Sequence, residues 1–176
     1  FRLERASFLK ADDATYYGGR RDEHGQVVEY VATMPMPVTM AMLERGQERF
    51  NIYCSVCHGY TGDGKGMVGS QWSYALPSFH DPKYTTQDPT VNQWRDGYLF
   101  HTARNGVVDV TGVQKMPGYA HALSEEDTWA IVAYIRALQR SSQGSIQDVP
   151  PTPRQTLEQQ RPAAMGGSSN SIGGGQ

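Results

Sequence analysis

The pentapeptide Cys54, Ser55, Val56, Cys57, His58 constrains this chain more than any other feature, and it uses both of the cysteines present. Two thiols separated by two residues, with an imidazole directly after the second, have the spacing of covalent haem attachment. Each thiol adds across one vinyl group of the porphyrin, and the imidazole takes one face of the iron. Rival uses of C-x-x-C fit less well. Zinc needs four ligands, and no second cysteine pair or H-x3-5-H is present. A thioredoxin-like redox pair belongs in a βαβ pattern, which does not surround this one. A disulfide across two residues would close a small, strained loop.

At 176 residues the chain suits one domain with extensions. Its formal charge of −2 supplies no polybasic footprint, so nucleic acid is not an expected partner. The longest uninterrupted apolar stretch, residues 129–135, is far short of the roughly 20 residues that span a bilayer. The sequence opens on Phe1 without a charged-then-apolar leader, which suggests that a signal peptide has been removed. Removal fits a haem attached outside the cytoplasm and places the protein, as a peripheral component, on the periplasmic side of a bacterial inner membrane. A lipid anchor would require a cysteine upstream of Phe1.

Three zones divide the chain. Residues 1–38 form an N-terminal strap, rich in aromatics but broken by Gly18, Gly19, Pro35 and Pro37, with a short strand expected over residues 27–31. It lies over the domain or over a partner. Residues 39–140 form the domain. Its first helix, Met40–Tyr53, has Leu43, Gly46, Phe50 and Tyr53 at three- and four-residue steps, with Thr39 as N-cap. A glycine inside a helix costs about 0.5–1 kcal/mol relative to alanine, so Gly46 calls for a second helix in close approach. That helix is expected over residues 125–139, with Ser124 and Asp127 resembling a capping box and three acids in its first turn. A middle helix is expected over residues 91–105, ended by a left-handed Gly106. Residues 141–176 form a tail in which Gly, Pro, Ser and Gln make up 22 of 36 residues. Without aromatics it cannot bury enough surface to offset its ordering entropy, so it is expected to lack regular structure.

The iron's second ligand comes from Met34, Met36, Met40, Met42, Met67, Met116, Met165 or a further histidine. Met116 lies in the loop between the middle and last helices, 58 residues after His58, and can return to the opposite haem face. Pro117 holds it to extended geometry, which helps present the thioether. His101 and His121 are the rivals, and bis-histidine ligation would lower the potential relative to methionine. His58 coordinates through Nε2, which leaves Nδ1–H in need of an acceptor. A carbonyl in residues 75–78 is expected to serve, with Pro77 favoured. Trp72, Tyr74, Trp94 and Tyr119 either wall the haem or belong to the core.

A helix carrying Gly46 and Phe50 before CSVCHG, a methionine loop, and a last helix WAIVAYIRALQ resemble the class I c-type cytochromes. That class is all-α, a small helical domain around one covalent haem c, with its first and last helices crossing closely. The run MPMPVTMAMLERGQERFNIYCSVCHGYTGDGKGMV, followed by LPSFH, GYLFHTARNG, KMPGYA and DTWAIVAYIRALQ, is similar to the monohaem cytochrome subunit of bacterial Alternative Complex III. The similarity covers residues 35–139 and neither arm. It departs at Tyr98, where that family has His, and at Thr128, where it has Arg. Both positions bear on peripheral packing or haem-propionate contacts.

The resemblance implies electron transfer by a non-enzymatic carrier subunit within a membrane quinol oxidoreductase of the respiratory chain. The implied partners are a multihaem cytochrome, iron–sulfur and membrane-anchor subunits, and a downstream oxidase or soluble cytochrome. The other readings are a free periplasmic cytochrome c shuttle and a small haem peroxidase or sensor, the last requiring an open iron position.

Overall fold

The computed structural model describes residues 12–160. The outer parts of both expected arms, residues 1–11 and 161–176 with Met165, lie outside the described residues. The chain divides into two compact units at the boundary between Ser142 and Gln143.

In the first unit, α1 (Asp13–Tyr17) and the antiparallel pair β1 (Gly19–Arg21) and β2 (Val27–Tyr30) come from the strap. The helices α2 (Met40–Tyr53), α3 (Ser55–His58), α4 (Pro82–Thr85), α5 (Asp96–Asn105) and α6 (Glu125–Ser142) follow, with β3 (Val107–Val108) and β4 (Gln114–Met116) paired between α5 and α6. The all-α expectation therefore holds, with two short strand pairs added.

α2 begins where the sequence indicates: Thr39 Oγ1 accepts from the Met42 N–H at 3.2 Å. It buries Met42, Gly46 and Phe50 against α6. A Cβ on Gly46 would sit 2.0 Å from the Ala130 carbonyl oxygen, so glycine is what lets the two backbones touch. Phe50 and Trp129 are fully buried, and Trp129 stacks on Phe100 with centroids 4.3 Å apart. Each such side chain contributes about 1.5–3 kcal/mol by leaving water.

The capping box at the start of α6 is half formed. Ser124 Oγ accepts from the Asp127 N–H at 3.1 Å. The Asp127 carboxylate, however, turns across to α2, where Arg45 donates to it through Nε at 2.7 Å and Nη2 at 3.2 Å. α6 also runs past residue 139 to Ser142, with the Ser141 and Ser142 hydroxyls donating to the carbonyls of Leu138 and Gln139.

The middle helix starts at Asp96 rather than Val91. Its first backbone donors are taken by the strap: Asp96 N–H reaches the Ala32 carbonyl at 3.2 Å and Gly97 N–H the Val31 carbonyl at 3.0 Å. A helix whose leading N–H groups are satisfied from outside needs no earlier turn. At its other end Gly106 has φ +78° as expected of a glycine stop, but its ψ of −168° places it outside the left-handed helical well. The strap is tied in further by Trp129 Nε1, which donates to the buried Thr15 carbonyl at 2.7 Å.

In the second unit, a 3-10 turn at Ile146–Asp148 is closed by a Ser145–Asp148 capping box. The helix α7 (Pro151–Gln160) follows where composition indicated no regular structure. Proline is tolerated in its first turn, and Arg, Gln, Leu and Glu favour the rest. Arg154 donates to the carbonyls of Gln147 and Val149, which joins helix to turn. α7 buries no residue.

Candidate haem site

The last turn of α2 passes through Cys54 into α3. The Cys54 carbonyl accepts from Cys57 N–H at 3.2 Å and His58 N–H at 2.9 Å, which gathers both thiols and the imidazole on one helical turn. The glycine-rich loop then folds back over this turn: Gly64 N–H reaches the His58 carbonyl, Gly66 N–H that of Cys57 and Val68 N–H that of Val56. Cys54, Cys57 and His58 all line a single cavity, walled on its apolar sides by Leu76, Leu99, Ile131 and Ile135.

Burial pushes the His58 imidazole down to about 4, so the ring is neutral, the form that ligates a metal. It stacks on Phe79 with centroids 4.7 Å apart. The Cys54 thiol is pushed up to about 12 by burial, with Cys57 adding to the effect. Pro77 lines the same cavity, but the expected hydrogen bond from His58 Nδ1 to its carbonyl is not formed; Nδ1 is buried without a partner.

Met116 ends β4, extended as the following proline demands, and lines the cavity. Its hairpin is closed by the bond from Asp109 N–H to the Val113 carbonyl. The Asp109 carboxylate accepts from Thr111 and Val113 and pairs with Lys115 at 3.2 Å. Those hydrogen bonds, chiefly from the Thr111 hydroxyl, hold it well below the usual carboxylate range. Among the described residues no other methionine lines the cavity. Met42 is buried in the α2–α6 core, Met34 and Met36 lie against that core, and Met40 and Met67 are exposed. The two rival histidines are also elsewhere. His101 lies edge-on to Tyr30 and near Asn105, while His121 is exposed beside Tyr119.

Trp72, Tyr74 and Tyr119 line the cavity, whereas Trp94 does not and donates instead to the Asp88 carbonyl at 2.6 Å. Of the two departures, Tyr98 lines the cavity and meets Tyr30 edge-on. Thr128 is fully buried in α6, its hydroxyl donating to the Ser124 carbonyl at 2.7 Å. Sequence reasoning missed Phe79, Lys83, Tyr84 and Gln93 on the cavity wall. Only Phe79, two residues after Pro77, lay close to a marked position.

The residues present fit a haem. A thiol pair and a neutral imidazole line one apolar slot, and a thioether lies on the same lining. No cluster of three or more His, Cys, Asp or Glu offers another metal site among the described residues.

A family described as cytochrome C oxidase, cbb3-type, subunit III matches residues 41–135, from the first turn of α2 into α6. No curated protein matches the chain. Among solved structures, the chain is similar to one from the Kuenenia stuttgartiensis reducing HAO-like protein complex, with a TM-score of 0.49 and 19% identity. That match covers 72% of this chain and 54% of the other, so this chain spans about half its length. Cytochrome cL from the marine methylotrophic bacterium Methylophaga aminisulfidivorans gives a TM-score of 0.40 at 20% identity, covering 68% of this chain and 79% of that one.

Proposed function

We propose a specific role for this chain, which belongs to the family described as cytochrome C oxidase, cbb3-type, subunit III, and is a class I c-type cytochrome domain for electron transfer. In this reading it carries one haem c. Cys54 and Cys57 would hold it as thioethers, His58 and Met116 would bind its iron, and Pro77 lines the same cavity. The observation that carries the assignment is the meeting of these five residues on one apolar cavity. When bound, the haem supplies a one-electron ferric–ferrous couple.

The protein's own residues hold the macrocycle, keep water away and set the potential through ligand type. Met116 as the second iron ligand would raise the potential relative to histidine, and an iron bound by both residues would keep no position free for oxygen or peroxide.

In its setting, the chain is a subunit of a membrane quinol oxidoreductase of the Alternative Complex III type, peripheral on the periplasmic face of a bacterial inner membrane. It takes electrons from a multihaem or iron–sulfur subunit and passes them to an oxidase or soluble cytochrome. Residues 39–140 are the haem-carrying part, with residues 1–38 and 141–176 as arms. Support comes from the sequence run over residues 35–139. The test is purification from native membranes in mild detergent. Co-elution with a multihaem cytochrome and membrane-anchor subunits is expected. A free monomer would overturn the complex and favour a diffusible shuttle.

A further inference from the structure

The haem reading leaves the two ends of the cavity to be told apart. Tyr119 marks one end: its ring lies 5.9 Å from that of Tyr53, the residue before Cys54. Tyr84 marks another. Its ring meets Phe79 edge-on with centroids 5.9 Å apart, and it shares the lining with Tyr74 and Tyr98. Two ammonium groups flank this second end. Lys115 Nζ lies 5.4 Å from the Tyr74 ring centroid and Lys83 Nζ 5.1 Å from that of Tyr84.

These two cations differ. Lys115 is balanced by Asp109 at 3.2 Å. Lys83 lines the cavity with no carboxylate at ion-pairing distance among the described residues. Gln93 lines the same cavity, and its Oε1 is buried without a partner. One guanidinium ties together the backbone beside both residues. Arg136 Nη1 donates to the Tyr84 carbonyl at 2.8 Å and Nη2 to the Trp94 carbonyl, while Nε holds Asp96 at 2.6 Å. Lys83 and Gln93 each immediately precede one of those carbonyls. Trp94 Nε1, donating to the Asp88 carbonyl, closes the loop between them.

A haem held by thioethers along one edge carries two propionate carboxylates along the opposite edge. An unpaired ammonium and a buried amide suit a carboxylate, since hydrogen bonds to an ionised acceptor are the strong ones. The oxygen and nitrogen of an amide exchange places by a half turn, so Gln93 can offer Nε2–H to such a group.

We propose that Lys83 and Gln93 form the propionate-binding end of the cavity, with Arg136 as the positioning residue that brings them together. The proposal rests on the haem reading above. Lys83 would neutralise one propionate and, as a cation on the cavity lining, would disfavour the ferric state. Gln93 donates to a propionate oxygen and orients it.

The test uses the full-length holoprotein with Lys83→Gln, Lys83→Arg and Gln93→Leu, and Arg140→Gln as an exposed control outside the cavity. Covalent haem is read from the alkaline pyridine spectrum, the midpoint potential by spectroelectrochemistry, and the propionate bending modes by resonance Raman. All variants are expected to keep covalent haem. Lys83→Gln should lower the midpoint potential and move a propionate mode, and Lys83→Arg should restore both. Gln93→Leu should move a propionate mode, and Arg140→Gln should leave everything as in the wild type. Wild-type modes and potential in Lys83→Gln and Gln93→Leu, with haem attached, would overturn the proposal while leaving the haem reading intact. A wild-type chain that carries no haem would overturn both.

Discussion

The two sides of the haem cavity are built in opposite ways. The His58 side is one helical turn in which five consecutive residues supply two thiols and an imidazole, capped by the loop that follows. The Met116 side is a short hairpin whose place depends on residues far away in the chain: Tyr119 N–H reaches the Ala103 carbonyl and Ala120 N–H that of Arg104. A local turn carries its chemistry wherever it is placed. The hairpin brings Met116 to the cavity only when α5 and the turn around Asp109 are both formed.

The largest expected effect comes from breaking the local side outright. With Cys54→Ala and Cys57→Ala together, denaturing electrophoresis with haem staining should show no covalently bound haem. Haem that stays attached would sink the assignment of both thioethers. Gly46→Ala attacks the same side through its supporting helix. Alanine gains about 1 kcal/mol of helix propensity. The new methyl, however, would meet the Ala130 carbonyl, and prising two packed backbones apart at the upper end of overpacking costs, about 3 kcal/mol, should outweigh that gain, for a net loss of about 2 kcal/mol. Chemical denaturation measures it, and an unchanged midpoint would show that the α2–α6 crossing tolerates a side chain.

Met116→His tests the hairpin side with the least disturbance. Haem attachment and fold should remain, the far-red thioether–iron charge-transfer band should vanish, and the midpoint potential should fall. A potential equal to that of the wild type would mean that another residue ligates the iron. If the two sides are as unlike as the structure indicates, the cysteine changes abolish loading whereas this change only retunes it.

Much of this arrangement was legible in the residues. Thr39, Gly46 and Phe50 announced α2 and its crossing, because capping chemistry and helical period are local properties. Pro117 likewise announced an extended Met116. Other features were not. The start of α5 was misplaced because its leading N–H groups are satisfied by Val31 and Ala32, more than sixty residues earlier. Asp127 looked like a capping residue and instead pairs with Arg45 on α2. The tail helix escaped a reading based on composition, since Arg154 stabilises it through carbonyls of the preceding turn rather than through burial. The cavity residues Lys83, Tyr84 and Gln93 carry no motif. They reach the site through Arg136, which gathers the Tyr84 and Trp94 carbonyls with Asp96.

By itself the sequence determined the attachment turn, the helix that leads into it and the glycine at which two helices cross. Each depends on residues within a few positions of one another. Which aromatics wall the cavity and which polar groups line it beside them were decided only in the tertiary structure. Those choices depend on burial and on hydrogen bonds between residues tens of positions apart, and no local pattern records them.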